Sequence, residues 1–206
     1  MTYRLHYGTT AKALHWIIVA LLVVQYSIGW LMPDVHAGPP GVPMTWHMSI
    51  GTVILALIVA RFLWRLTHPV APESSLPSWQ RITSEAVHWL LYLLVPLTTL
   101  SGWLFASARG WNVSWFFVAP LPMLSAGNRA FVKALDGWHQ NFMWTLLVVA
   151  GLHIAAALVH LFYYRDDVMR RMLPGEPATG ALSSASKWRQ LRRLRAALTS
   201  KARSMI

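Results

Sequence analysis

Three histidines mark one apolar stretch of this chain: His139, His153 and His160, within the segment from Gly137 to Phe162. Their spacings are 14 and 7 residues. At 100° per residue, 14 residues return to within about 40° of the starting direction and 7 to within about 20°. The three imidazoles therefore lie along one stripe of a helix, the first two roughly 21 Å apart along its axis. An ionisable side chain in a membrane span is costly and is a functional candidate by default. Two on one face, near opposite leaflets, point to two stacked cofactor sites.

The same interval recurs elsewhere. His15 is followed 14 residues on by Gly29, His47 by Arg61, and His88 by Gly102, while Gly51 lies one turn below His47. A histidine near one membrane surface with a glycine further along the same face suits a helix beside two flat ligands, one ligated and one needing backbone clearance. The plainer alternative is an interfacial histidine and a helix-packing glycine. Arg61 can pair with an anion at the inner cofactor level, such as a haem propionate or a quinone oxygen. Arg65, four residues on, reads more simply as snorkelling to headgroups.

The elements that must position these residues are four apolar spans, Ala13–Met32, Trp46–Trp64, Ser84–Phe105 and Trp138–Tyr163. Each is near or above the length that crosses roughly 30 Å of hydrocarbon. With 55% hydrophobic and 12% charged residues, the 206-residue chain has the balance of a polytopic membrane protein. Tryptophans sit at span ends (Trp16, Trp30, Trp46, Trp64, Trp89, Trp103, Trp138), as interfacial anchors do. Span 1 exceeds a signal-peptide core and carries His15 and Gln25, so it reads as a retained span.

The net charge of +11 is not spread as in a nucleic-acid binder. Fifteen of the 18 Lys and Arg fall on one side of the spans; only Arg109, Arg129 and Lys133 fall on the other. That asymmetry places both termini in the cytoplasm and predicts no nucleic-acid partner. With no cysteine in the chain, thiolate ligation, iron–sulfur clusters and covalent haem attachment are excluded.

The connecting segments carry less information. His36, in the Pro/Gly-rich outer loop, and His68, in the inner loop, read as solvated residues. Pro96 should kink span 3. The apolar loop 106–137 is expected to form a short interfacial helix over the outer cofactor. After a linker from Pro174, Lys187–Arg203 is basic, with Trp188, Leu191, Leu194 and Leu198 at helical spacing. It reads either as an amphipathic surface helix or as a disordered basic tail. The expected division is a membrane domain over residues 1–174 and a cytoplasmic tail over 175–206.

Sorted by depth, the outer level offers His47 with His139. The inner level offers His153 with either His15 or His88. A zinc site would need three or four ligands converging at one level, and a proton relay would typically show intramembrane carboxylates. Paired histidines on a four-helix scaffold fit bis-imidazole haem better. A haem-free transporter or sensor is the alternative from another class.

These features together resemble the bacterial dihaem cytochrome b561 family. The similarity runs from about His6 to Pro174. It is carried by Ala13-Leu14-His15-Trp16, by Trp46-His47, by Ala60-Arg61-Phe62-Leu63-Trp64-Arg65, and by span 4 from Trp138-His139 through Gly151-Leu152-His153 to Arg170-Arg171-Met172. The resemblance implies an all-α, integral-membrane, up-and-down four-helix bundle in the bacterial inner membrane holding two non-covalent b haems. It implies His47 with His139 as the outer axial pair and His15 with His153 as the inner pair. His88 then takes a secondary place near a propionate or a quinone, and His160 is not a ligand. The implied activity is single-electron transfer between a membrane quinone and an unidentified one-electron donor or acceptor; some members are assigned superoxide oxidation. A haem-bearing anchor subunit for a dehydrogenase or hydrogenase is the alternative within electron transfer.

Overall fold

A computed structural model of the chain describes residues 7–33, 41–70 and 76–174. Arg4, His36 and the basic segment Lys187–Arg203 lie outside the described residues. Four long helices carry the architecture: α1 (Thr9–Leu31), α2 (Val42–Thr67), α3 (Ser78–Ala108) and α4 (Arg129–Val159). All four are long and apolar enough to cross a membrane. The chain divides after Ala156 into two compact units.

Local chemistry sets the helix ends. Pro33 disfavours the helical region for the residue before it, and Met32 is extended at the C-cap of α1 (φ −73°, ψ 135°). Pro43 sits in the first turn of α2, where its missing N–H costs nothing. At the far end His68 caps α2 ahead of Pro69. Its backbone N–H donates to the Trp64 carbonyl at 2.9 Å, and its ring stacks on Trp64 at 3.8 Å. His68 is thus a helix cap and not the solvated loop residue expected.

α3 passes without a break through Pro96. The Thr98 hydroxyl donates to the Leu94 carbonyl, and that of Thr99 to the carbonyls of Val95 and Pro96. These hydroxyl bonds supplement the backbone ladder of α3 just beyond the proline; the carbonyl whose amide donor Pro96 removes is that of Tyr92. α3 ends in a Schellman motif: Trp111 N–H donates to Ala106 O and Gly110 N–H to Ser107 O, with Gly110 at φ +72°.

The segment after it forms no interfacial helix. It makes a hairpin of β1 (Ser114–Trp115) and β2 (Ala119–Pro120), paired antiparallel. The turn has Phe116 and Phe117 at φ 46° and 63°, closed by Val118 N–H to Trp115 O at 2.9 Å, the type I′ pattern. Two phenylalanines in the left-handed region are strained. Their anchors are the Ser49 hydroxyl, which accepts from Phe116 N–H at 2.8 Å, and the Trp46 ring, 5.5 and 6.2 Å from the two phenyl rings. Tertiary pinning to α2 overrides the local preference for a helix.

α4 also starts earlier than its apolar span. Asn128 caps it, its side-chain oxygen accepting from Phe131 N–H at 3.0 Å. The first two turns, Arg129–Gly137, are too polar to register as membrane span.

Within the first unit, α1 packs on α2 and α2 on α3. The Tyr26 hydroxyl donates to the Met143 carbonyl at 2.7 Å, tying α1 to α4. The core gathers Ile18 of α1, Ile50, Ile54 and Ile58 of α2, Leu94 and Val95 of α3, and Leu146 of α4. Most other large apolar side chains point outward, among them Val23, Leu63, Leu93, Val148 and Leu152. An apolar exterior over apolar spans suits lipid and not water.

In the second unit α4 passes into a π-helical turn, His160–Tyr164. There His160 Nδ1 lies 2.6 Å from Asp166 Oδ2.

Candidate functional site

The 14-residue intervals bring the candidate residues to two levels. At the end where α2 and α4 begin, His47 and His139 face each other with ring centres 6.3 Å apart and planes at 83°. At the opposite end, His15 and His153 stand 6.4 Å apart with planes at 82°. A metal–imidazole bond of about 2.0–2.1 Å, plus about 1.1 Å from ring nitrogen to ring centre, counted on both sides, spans about 6.3 Å. Both pairs therefore match the separation of two imidazoles on opposite faces of one metal. His88 is closer to His153, at 5.2 Å, which is short for that bridge.

A cavity of about 400 Å³ surrounds the first pair. His47, His139, Gly29, Gly51 and Gly102 all line it. Its size and mostly apolar wall, with a few polar groups, suit a flat hydrophobic cofactor. Its deepest layer is Leu22, Ile54, Val95 and Leu146. Each stands seven residues from the two positions of its own 14-residue interval, so a single helical face carries site, plug and site in turn. Ile54, Val95 and Leu146 are almost wholly buried and separate the two histidine levels with apolar packing.

The glycines have distinct tasks. A Cβ on Gly102 would fall 2.8 Å from the His139 ring. Glycine there lets the ring press against the α3 backbone, where His139 Nδ1 lies 2.9 Å from the Thr98 carbonyl. An Nδ1–H donating to a carbonyl leaves Nε2 as the free lone pair, the arrangement of a metal-ligating histidine. A Cβ on Gly29 would meet the His47 ring at 3.7 Å, ordinary contact. At Gly51 it would meet the Gln25 amide nitrogen at 3.4 Å.

Cations mark the His15/His153 end. Arg61 donates to the Ala11 carbonyl at 2.6 Å, which ties α2 to the first turn of α1. Arg65 lies over the rings of Trp89 and Tyr92, at 5.4 and 5.6 Å. Lys12 is buried on α1, three residues before His15 and on the same face. Sequence reasoning passed over Lys12 as a topology signal; its i, i+3 relation to His15 was the available clue. His160 falls in the second unit, with Asp166 as its partner. The residues present thus fit b haem: two opposed imidazole pairs, glycine clearance beside them and positive charge at one end.

Residues 6–175 match the family described as prokaryotic cytochrome b561. "Cytochrome b561 homolog 2" of Escherichia coli is 33% identical over 180 residues, covering 81% of this chain and 90% of that protein. "Probable superoxide oxidase CybB" of Yersinia pestis is 28% identical over 174 residues, covering 82% and 96%. "Cytochrome b562" of Cereibacter sphaeroides is 24% identical over 181 residues, covering 84% and 98%. The matched region takes in all four spans, both histidine levels and the glycines beside His47 and His139, and the haem-free transporter or sensor is thereby set aside. The chain belongs to the prokaryotic cytochrome b561 family: it is a multi-pass inner-membrane electron-transfer protein that uses b-type haem.

Proposed function

We propose that this chain is a dihaem cytochrome passing single electrons across the membrane between a quinone and a one-electron partner. His47 and His139 are the axial ligands of one haem, His15 and His153 those of the other. The observation carrying this reading is the repeated geometry of the two pairs, 6.3 and 6.4 Å with nearly perpendicular rings. When bound, b haem supplies a reversible one-electron couple at its iron.

The chain's residues do the rest. With both histidines of a pair engaged, the residues would hold b haem so as to favour electron transfer over ligand binding at iron. Thr98 holds the His139 ring in the ligating tautomer. Lys12 and Arg61 offer positive charge to carboxylates at the His15/His153 end; a buried ammonium calls for such an anion. Leu22, Ile54, Val95 and Leu146 keep water from the region between the levels, which lie roughly 21 Å apart along α4.

For the quinone, support comes from an apolar cleft of about 340 Å³ between α2 and α3, lined by Phe62, Trp89, Tyr92 and Pro96. The name of the Yersinia pestis relative makes superoxide the one-electron partner to test first. Residues 1–174 form the haem-binding membrane domain, and 175–206 a basic tail. The cation distribution favours both termini in the cytoplasm.

The test is a reduced-minus-oxidised spectrum with a pyridine haemochrome count per polypeptide on the purified, haem-replete protein. Two b haems are expected. One haem would leave only one histidine pair in use, and none would end the reading. A soluble subunit copurifying in equal amount would turn it toward the anchor role.

A further inference from the structure

The tip of the β1–β2 hairpin is apolar and mostly uncovered: Phe117 is 54% exposed and Val118 82%. Met123 and Leu124, just after the hairpin, are exposed as well. From Trp111 to Asn128 the chain carries no charged residue. Single exposed apolar residues are ordinary, but a charge-free stretch with several of them marks a contact surface. A lone two-stranded hairpin is also only marginally stable in water.

α2 fixes where that tip lies. Ser49, which accepts from Phe116 N–H at 2.8 Å, stands three residues further into the span than Trp46. That is roughly 4.5 Å deeper at 1.5 Å per residue. Around the helix, Ser49 is about 200° from His47, so the hairpin clasps the side of α2 turned away from the histidine cavity. The Phe116 ring packs against the apolar core of the spans. The turn therefore lies beside the first part of the α2 span and not above it. Trp46, itself half-exposed at the span end, carries the apolar exterior of α2 onto the hairpin, its ring 6.2 Å from that of Phe117.

We propose that this tip is a lipid-contact element: Phe117 and Val118 seat in phospholipid, at the boundary of headgroups and acyl chains in the leaflet at the His47/His139 end. The occupant follows from continuity with the lipid-facing exterior of the spans and from the missing charge. The depth follows from the backbone. The outer edges of a two-stranded hairpin have no further strand to pair with, and hydrocarbon would leave those groups unsatisfied. The boundary layer supplies water and headgroups to the backbone and acyl chains to the side chains.

The chain has no cysteine, so a nitroxide can be placed at one position at a time. The full-length, haem-loaded Val118→Cys protein is labelled and reconstituted in vesicles of phosphatidylethanolamine and phosphatidylglycerol. Power-saturation EPR then compares collisions with oxygen, which concentrates in lipid, and with a neutral nickel chelate, which stays in water. Val148→Cys, on the exposed apolar face of α4, is the lipid reference, and Lys133→Cys, in its polar first turns, the water reference. Phe117→Cys reads the same turn a second time, and an unchanged haem content shows that each variant is folded. The Val118 label is expected to be relaxed more by oxygen than by the chelate, as at Val148. A label reached by the chelate as at Lys133 overturns the proposal, since the tip then lies in water. A label that neither reagent reaches overturns it too, and spin–spin broadening in that case identifies a second copy of the chain as the occupant.

Discussion

At the scale of single residues, the histidines divide by distance. His153 has two neighbours, His15 at 6.4 Å and His88 at 5.2 Å, and only the longer separation admits a metal between opposed imidazoles. His15→Ala is therefore expected to lose one b haem, and His88→Ala to keep both. A haemochrome count on the two purified variants decides this, and the reverse pattern would move the second ligand to α3. The glycines make a sharper pair of tests. Gly102→Ala places a methyl 2.8 Å from a ring held against the backbone, whereas Gly29→Ala meets its histidine at 3.7 Å. The first should cut occupancy of the His47/His139 haem several-fold, and the second should leave it near wild type. Equal occupancy in the two variants would show that the His139 ring is free to move away.

At the scale of elements, the hairpin after α3 is the feature that propensity does not explain. Its two-phenylalanine turn is held by Ser49, a fully buried hydroxyl two residues from His47 that also donates to the Thr45 carbonyl at 2.7 Å. Ser49→Ala removes the acceptor for Phe116 N–H and should cost about 1–2 kcal/mol. Thermal unfolding in detergent measures it, and an unchanged midpoint would mean the turn stands without its anchor. The end of α3 is a backbone matter. A side chain on Gly110 would meet nothing within 4 Å, yet the residue sits at φ +72°. Gly110→Ala is accordingly expected to destabilise by about 1 kcal/mol through the left-handed conformation alone.

At the scale of the whole molecule, the apolar layer joins the two sites. Leu146 comes from α4 and packs with Ile18, Ile54, Leu94 and Val95 of the other three helices. Leu146→Ala should leave all four histidines in place but open a void between the levels, costing on the order of 2–5 kcal/mol if the site cannot collapse. The expected readout is a lower melting temperature with both haems present in the folded protein. Full thermal stability would show that the layer is not the shared core of the four spans. Topology is testable at the same scale. A reporter fused after Ile206 should be active only in its cytoplasmic form, as the 15-to-3 division of cations predicts. A periplasmic signal would invert the assignment of the two histidine levels.

The four spans, the absence of thiolate chemistry and the two histidine levels were legible from the amino-acid order alone. Helical rise and period turn a spacing into a depth and a direction, and 14 residues is nearly a whole number of turns. That arithmetic works within one helix. It does not say how four helices are rotated against one another, because packing between them sets those angles. So the separations of His15 and His88 from His153, the seating of His139 against Gly102 and Thr98, and the Gln25 amide bonded to the His47 carbonyl emerged only in the tertiary structure. The hairpin is a second case. The residues from Ser114 to Pro120 carry no glycine or asparagine to announce a type I′ turn, and a serine 67 positions before Phe116 supplies the bond that holds it. Hydropathy likewise missed the first two turns of α4, since it registers the lipid-facing part of a helix and not the polar turns that extend beyond it.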